Sequence, residues 1–399
     1  MEPRELREDF PILRNRGDSL IYLDNAATTQ KPEAVIDRIC RYYEWENANI
    51  HRGMYPLSTQ AEHAYEAVRR EIADWIGASA AEEIVFTKGS TEAVNLTAAA
   101  FFETWVDRGD NVVVTELEHS SNYFPWKHQC ERFGAALRTA EAEPDGSLNP
   151  EAVMGCIDSR TRMLAITAMS NVTGFRPQLR RIIEEAHRAG ARVFVDASQE
   201  AAHHPINVQE MDCDLLCFSG HKVYGPMGTG VLCGKRQLLE EMRPYLYGGG
   251  MVKRGDGGLP EYRQDPEKFE AGTQNIAGVL GLGAAVEYLR SRDFAGLTER
   301  EADLAESFRG RLGNIRGIRI KGTDARSPLI AFASDRLGAY DLGVLLGNSG
   351  IAVRCGSHCA YPLMSRMGEE SLCRISLGIY NTQAELDKAL ARLRRLLEG

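Results

Sequence analysis

Up to residue 233, short apolar runs alternate with longer segments of helical spacing. The runs at 83–87, 111–115, 162–168, 191–195, 214–218 and 229–233 read as buried strands, and a shorter one lies at 20–23. Helical segments lie at 32–45, 59–76, 121–133 and 177–189, and another helix opens after Gly89. In the second of these, Ala61, Ala64, Tyr65, Val68, Ile72 and Trp75 share one face, and Gly77 follows as a natural stop. This alternation predicts an α/β fold, a mainly parallel sheet with helices on both faces.

Beyond Gly248 the pattern changes. Residues 248–272 are polar and rich in glycine, with no periodicity, as expected of a long functional loop. Helices at 277–292, 297–312, 339–348 and 382–397 then mix with short strands at 318–321, 329–332, 351–354 and 373–377. That mixture predicts a smaller α+β domain. Residues 1–19 are polar apart from Phe10, Pro11, Ile12 and Leu13, and read as an arm lying on the rest of the protein. The expected division is a large domain at 18–287 and a small one from 1–17 and 288–399.

Composition narrows the class. With 43% hydrophobic and 26% charged residues, the 399-residue chain can bury a large core, and disorder is excluded. A net charge of -9 argues against nucleic acid held by its phosphates. The nine cysteines form no CxxC pair, so they are not a disulfide framework and suit a reducing cytoplasm. Neither a secretory leader nor a membrane-spanning run is expected.

Two stretches carry chemistry. The strand at 214–218 breaks at Ser219-Gly220 and delivers His221 and Lys222, while the strand at 191–195 ends in Asp196. A lysine at the mouth of an apolar core loses charge by desolvation and becomes a Schiff-base nucleophile. With an aspartate nearby to pair with a pyridinium nitrogen, this is what pyridoxal phosphate requires. Gly89-Ser90-Thr91 opens a helix after a strand, which makes an anion site, although Ser90 could be an ordinary N-cap. His119 follows a strand end, where open α/β sheets bind ligands. Small residues at Ala26 and Ala27 allow backbone to approach a ligand, or simply make a turn.

The second stretch is Arg354-Cys355-Gly356-Ser357-His358-Cys359-Ala360-Tyr361-Pro362. Its loop setting suggests that Cys359 is exposed, with Arg354 and His358 as local cations to lower the thiol pKa. Cys355 is ambiguous. The other cysteines (Cys40, Cys130, Cys156, Cys213, Cys217, Cys233 and Cys373) lie in helical or strand runs and read as buried. A zinc site at Cys355, His358 and Cys359 lacks a second pair of ligands, so no metal is expected. Arg374, inside an alternating strand, needs either a ligand anion or an internal ion pair.

Taken together, these segments resemble the group II cysteine desulfurases of the class V aminotransferases. The resemblance runs from Tyr22-Leu23-Asp24-Asn25-Ala26-Ala27 to Cys373-Arg374-Ile375-Ser376-Leu377. It is most specific at Ser219-Gly220-His221-Lys222 and at Arg354 through Pro362. It implies pyridoxal phosphate fold type I, with a seven-stranded sheet in the large domain and the cysteine loop on the small one. Lys222 would carry the cofactor, Asp196 and Gln199 would contact its ring and His119 would stack on it. Ser90, Thr91, Ser219 and His221 would hold its phosphate, joined by Thr273 from a neighbouring subunit of a homodimer. Asn171, Arg354, Arg374, Ala26 and Ala27 would seat L-cysteine. Cys359 would accept sulfur as a persulfide and pass it to an acceptor protein of a SUF-type or related system, for iron–sulfur or other sulfur-cofactor assembly. The alternative is a selenocysteine lyase acting on L-selenocysteine, or another class V enzyme such as a transaminase or epimerase that does not need Cys359. A dinucleotide-binding protein is disfavoured, because no GxGxxG follows the early strands.

Overall fold

The computed structural model describes residues 3–253, 261–264 and 266–398. Its main sheet has seven strands, in the order Ile84–Thr87, Gly230–Gly234, Leu215–Ser219, Arg192–Asp196, Thr161–Thr167, Asn111–Thr115 and Ala136–Ala140. Only Gly230–Gly234 runs against the others. Alternate residues serve opposite faces. Val113, Leu164, Val193, Leu216 and Phe218 pack with helices Pro56–Ile76 and Ile276–Arg290. Val112, Val114, Phe194, Leu215 and Cys217 pack with Ser90–Trp105 and Ser120–Phe133. Burial on both faces is why these strands appear as unbroken apolar runs.

A second sheet is antiparallel throughout, in the order Ile318–Lys321, Leu329–Ser334, Leu372–Ser376 and Arg354–Gly356. Helices Phe294–Gly313 and Gln383–Glu398 cover it through Phe308, Leu312, Leu386 and Leu390. The arm is also as expected: Phe10 is buried among Tyr224, Tyr288 and Tyr380, with ring centroids 6.1, 5.9 and 4.6 Å away.

Several elements differ from the sequence pattern. Ala136–Ala140 is an added strand at the sheet edge, where Arg138 and Thr139 interrupt the apolar signal. The predicted helix at 32–45 stops at Arg41 and continues as a π-helical turn, Tyr42–Glu46. Glu46 there pairs with Arg38 and Arg41 at 2.9 and 2.8 Å. The predicted strand at 351–354 divides: Ile351–Ala352 pairs with Ile21–Tyr22, and Arg354–Gly356 joins the second sheet. Ser90 is the first residue of its helix, and Gly89 takes the cap position. Cys40 is exposed rather than buried, because its position on helix Glu33–Arg41 faces away from the core.

The loop expected at 248–272 contains a small antiparallel pair, Val252–Lys253 with Glu261–Tyr262; residues 254–260 and 265 lie outside the described residues. Its far end is anchored by Glu270. This carboxylate accepts hydrogen bonds from Arg69 Nη1 and Nη2 at 2.7 and 2.9 Å and from the Phe86 amide at 2.8 Å. Removing one partner of a buried pair strands the other charge. Glu270→Ala is therefore expected to lower unfolding stability by about 3–5 kcal/mol in chemical denaturation. Glu66→Ala removes the more exposed partner of the same arginine and should cost less than about 1 kcal/mol. Equal effects would contradict this assignment.

Candidate active site

The ends of the parallel strands converge on a cavity of about 240 Å³. The strand ending in Asp196 lies beside Leu215–Ser219, with Asp196 opposite Cys217, and the turn Gly220–Lys222 follows directly. Sheet register therefore brings Asp196 and Lys222 to one wall. Asp196 Oδ1 accepts hydrogen bonds from the Ser198 amide at 2.9 Å and the Ser198 hydroxyl at 2.5 Å. Burial pushes the Lys222 amine below the ordinary lysine value; Asp196 opposes the shift and Arg374 adds to it.

At one end stands the N-terminus of helix Ser90–Trp105, with Thr91 and His221 at the cavity. The Ser90 hydroxyl lies 2.8 Å from that of Ser219 and 2.6 Å from that of Ser198, so these serines form a chain leading to Asp196. Close packing at this end requires glycine, since a Cβ on Gly230 would meet the Gly89 Cα at 2.5 Å. His119 caps its helix by accepting the Ser121 amide on Nδ1 at 3.1 Å. Burial holds His119 at about 4, with Lys222 lowering it further, so its ring is neutral at neutral pH.

The opposite wall comes from the second sheet. Arg374 is buried; it donates to the Asn171 carbonyl at 2.6 Å, and its Nη2 lies 3.4 Å from Asp24. Arg354 Nε reaches the same Asp24 carboxylate at 3.2 Å. Cys359 is exposed at the cavity. Both His358 and Cys359 have left-handed backbones, φ 52° and 54°, which cost about 1–3 kcal/mol each and must be held from outside. The Asn171 amide donates to the His358 carbonyl at 2.8 Å, while the Ser120 amide and hydroxyl both reach the Cys359 carbonyl at 2.7 Å.

The cavity thus gathers Ala26, Ala27, Ser90, Thr91, His119, Asn171, Asp196, Gln199, Ser219, His221, Lys222, Arg354, Cys359 and Arg374. Thr273 lies apart from it and is exposed. One expectation is corrected: His358 is not a local cation, because burial, with Arg374 adding, depresses it to about 3. Sequence reading passed over Ser198 and Asp24. A serine two residues after a strand-end aspartate was a usable signal for the first, and an acid just after the 20–23 run was one for the second.

Five buried polar atoms on residues lining the cavity have no hydrogen-bond partner: Gln199 Oε1, His221 Nδ1, Asn171 Oδ1, His358 Nδ1 and Arg374 Nε. A polar ligand would satisfy them, its donors meeting Gln199 Oε1 and Asn171 Oδ1 and its anionic group meeting Arg374 Nε. Asp196, a Lys222 amine made less basic by burial, a neutral His119 and a helix N-terminus fit a phosphorylated pyridine aldehyde.

The histidines make the fold sensitive to acid. His119 and His221 titrate at about 4 and His358 at about 3, against an ordinary 6.5. Between those values the unfolded chain binds more protons, so stability falls as pH drops from about 6.5 towards 4. Urea denaturation across that range should show the loss, and His221→Asn should reduce it. Stability that stays flat or rises on acidification would contradict the buried, neutral assignment.

The chain is similar to known proteins over nearly its whole length. The aminotransferase class-V family profile matches residues 21–389. A cysteine desulfurase of Pectobacterium atrosepticum is 42% identical over 395 residues, covering 98% of this chain and 97% of that protein. One from Klebsiella pneumoniae is 43% identical over 396 residues, with the same coverage. The crystal structure of the Escherichia coli cysteine desulfurase CsdA, in an S-sulfonic acid form, superposes with a TM-score of 0.93 at 37% identity, covering 100% of this chain and 99% of that one. The seven-stranded α/β architecture is the one those structures share. The chain belongs to the class-V aminotransferase family.

Proposed function

We propose that this protein is a pyridoxal-phosphate-dependent cysteine desulfurase, which converts L-cysteine to L-alanine and hands the sulfur to an acceptor protein. The observation that carries the reading is one cavity lined by Lys222, Asp196, Arg374 and Cys359. When bound, pyridoxal phosphate supplies the electron sink that makes an amino acid's Cα proton acidic. Lys222 would hold it and move the Cα proton on Nζ. Asp196 would keep a proton on its ring nitrogen. Gln199, through its free Oε1, and the neutral His119 ring would contact its ring. Ser90, Thr91, Ser219 and His221 would hold its phosphate.

Arg374, Asn171 and Arg354 seat the substrate carboxylate, with Ala26 and Ala27 shaping the floor. The Cys359 thiolate attacks the substrate sulfur: the substrate C–S bond breaks, an S–S bond forms on Cys359, and alanine leaves. A homodimer completes the site through Thr273. The uncovered side chains of Thr273, Tyr43, Trp45 and Met54 in the single chain support that assembly. The division at 18–287 against 1–17 and 288–399 suits a cysteine loop borne on the smaller domain. The acceptor belongs to a SUF-type or related system in the cytoplasm. Among the described residues, no helix is long and apolar enough to cross a membrane.

The test is product analysis. L-Cysteine with a reductant should yield alanine and sulfide in equal amounts; a keto acid formed with an amino acceptor would indicate a transaminase instead. Lys222→Ala should lose turnover on the order of 10³-fold or more. Cys359→Ala should still bind pyridoxal phosphate, read by its visible absorption, yet release no sulfur from cysteine. Full turnover by that variant would remove Cys359 from the mechanism.

A further inference from the structure

The second sheet holds a pair of thiols that the proposed reaction does not use. Cys355 lies on Arg354–Gly356, and Cys373 lies directly opposite it on Leu372–Ser376. Opposed residues in an antiparallel ladder have Cα atoms about 4.5–5.5 Å apart. That is within the roughly 4.4–6.8 Å a disulfide spans. The neighbouring register pair is Arg354 with Arg374, so the thiols sit one step from the arginines at the cavity.

The two cysteines differ in access. Cys355 is half-buried, and Cys373 is closed off. The Cys355 sulfur rests against Gly343, where a Cβ would approach it to 2.6 Å, so its pocket admits no larger residue at that position. A hydrogen bond from Cys373 holds the Cys355 thiol below the ordinary cysteine value, and the same bond and burial push Cys373 well above it. Cys355 is thus the attacking thiol and Cys373 the resolving one.

We propose that Cys355 and Cys373 form a dithiol modification site, distinct from Cys359, that small-molecule disulfides close into a cross-strand disulfide. The Cys355 thiolate attacks one sulfur of a small disulfide, breaks its S–S bond and expels one thiolate, leaving a mixed disulfide. The Cys373 thiol then gives up its proton and attacks the Cys355 sulfur, expelling the second thiolate. Two protein thiols are oxidised to one disulfide; the small disulfide is reduced to two thiols, which take up the protons. Closure ties the strand leading to the Cys359 loop onto the strand bearing Arg374.

The test uses the intact protein. It is incubated at neutral pH with hydroxyethyl disulfide, remaining thiols are alkylated, and non-reduced peptides are read by mass spectrometry. The expected product joins the Cys355 peptide to the Cys373 peptide with the loss of two hydrogens, and dithiothreitol reverses it. Cys373→Ala should instead accumulate the mixed disulfide at Cys355, and Cys355→Ala should leave Cys373 unmodified. Exposed Cys40 reports that the reagent is active. The proposal is overturned if, with Cys40 modified, wild-type Cys355 keeps only the mixed adduct, joins Cys359 or stays free. It is also overturned if Cys373 reacts as readily without Cys355.

Discussion

The buried guanidinium of Arg374 is the constraint on which the arrangement of the two sheets around the cavity depends. An arginine in the interior cannot shed its proton at neutral pH; burial lowers it only to about 10. It must therefore find oxygen atoms, and none of those it finds lies on its own sheet. Asp24 follows the short strand Ile21–Tyr22, and the Asn171 carbonyl follows the main-sheet strand Thr161–Thr167. The resulting contacts draw the antiparallel sheet against the ends of the parallel one. They leave Nε unmatched at the cavity, where a carboxylate would complete the site.

The same junction explains the cysteine loop. Asn171 supplies its carbonyl to Arg374 and its amide to the His358 carbonyl, so one residue braces both the buried cation and a left-handed backbone. Ser120, next to the cavity-lining His119, braces Cys359. Strain at the loop is thus held by residues that also line the ligand cavity. An exposed thiol can be kept at a fixed place in this way without being sealed in.

Much of this was legible in the sequence, for identifiable reasons. Asp196 and Lys222 could be paired because consecutive parallel strands lie side by side and chemistry collects at their C-terminal ends. Cys359 stood out because glycine and proline bracket it. What failed depended on burial or on contacts distant in the chain. His358 reads as cationic because sequence does not reveal that its ring is buried, with the charge of Arg374 acting on it. Cys40 reads as buried because it adjoins Ile39 in sequence, whereas the inward face of its helix runs through Val35 and Ile39 and leaves Cys40 outside. Ala136–Ala140 was missed because an edge strand need not alternate. Ser198 and Asp24 carry local signals in the sequence, but their partners, Ser90 and the two arginines, are distant in the chain.

The central claim is that a lysine and a cysteine far apart in sequence act on one substrate at one cavity. The most direct measurement is mass spectrometry of the holoprotein after brief exposure to L-cysteine, without reductant. The account predicts one added sulfur on the peptide bearing Cys359. An unmodified Cys359 peptide while alanine accumulates, or sulfur found only on another cysteine, would contradict it.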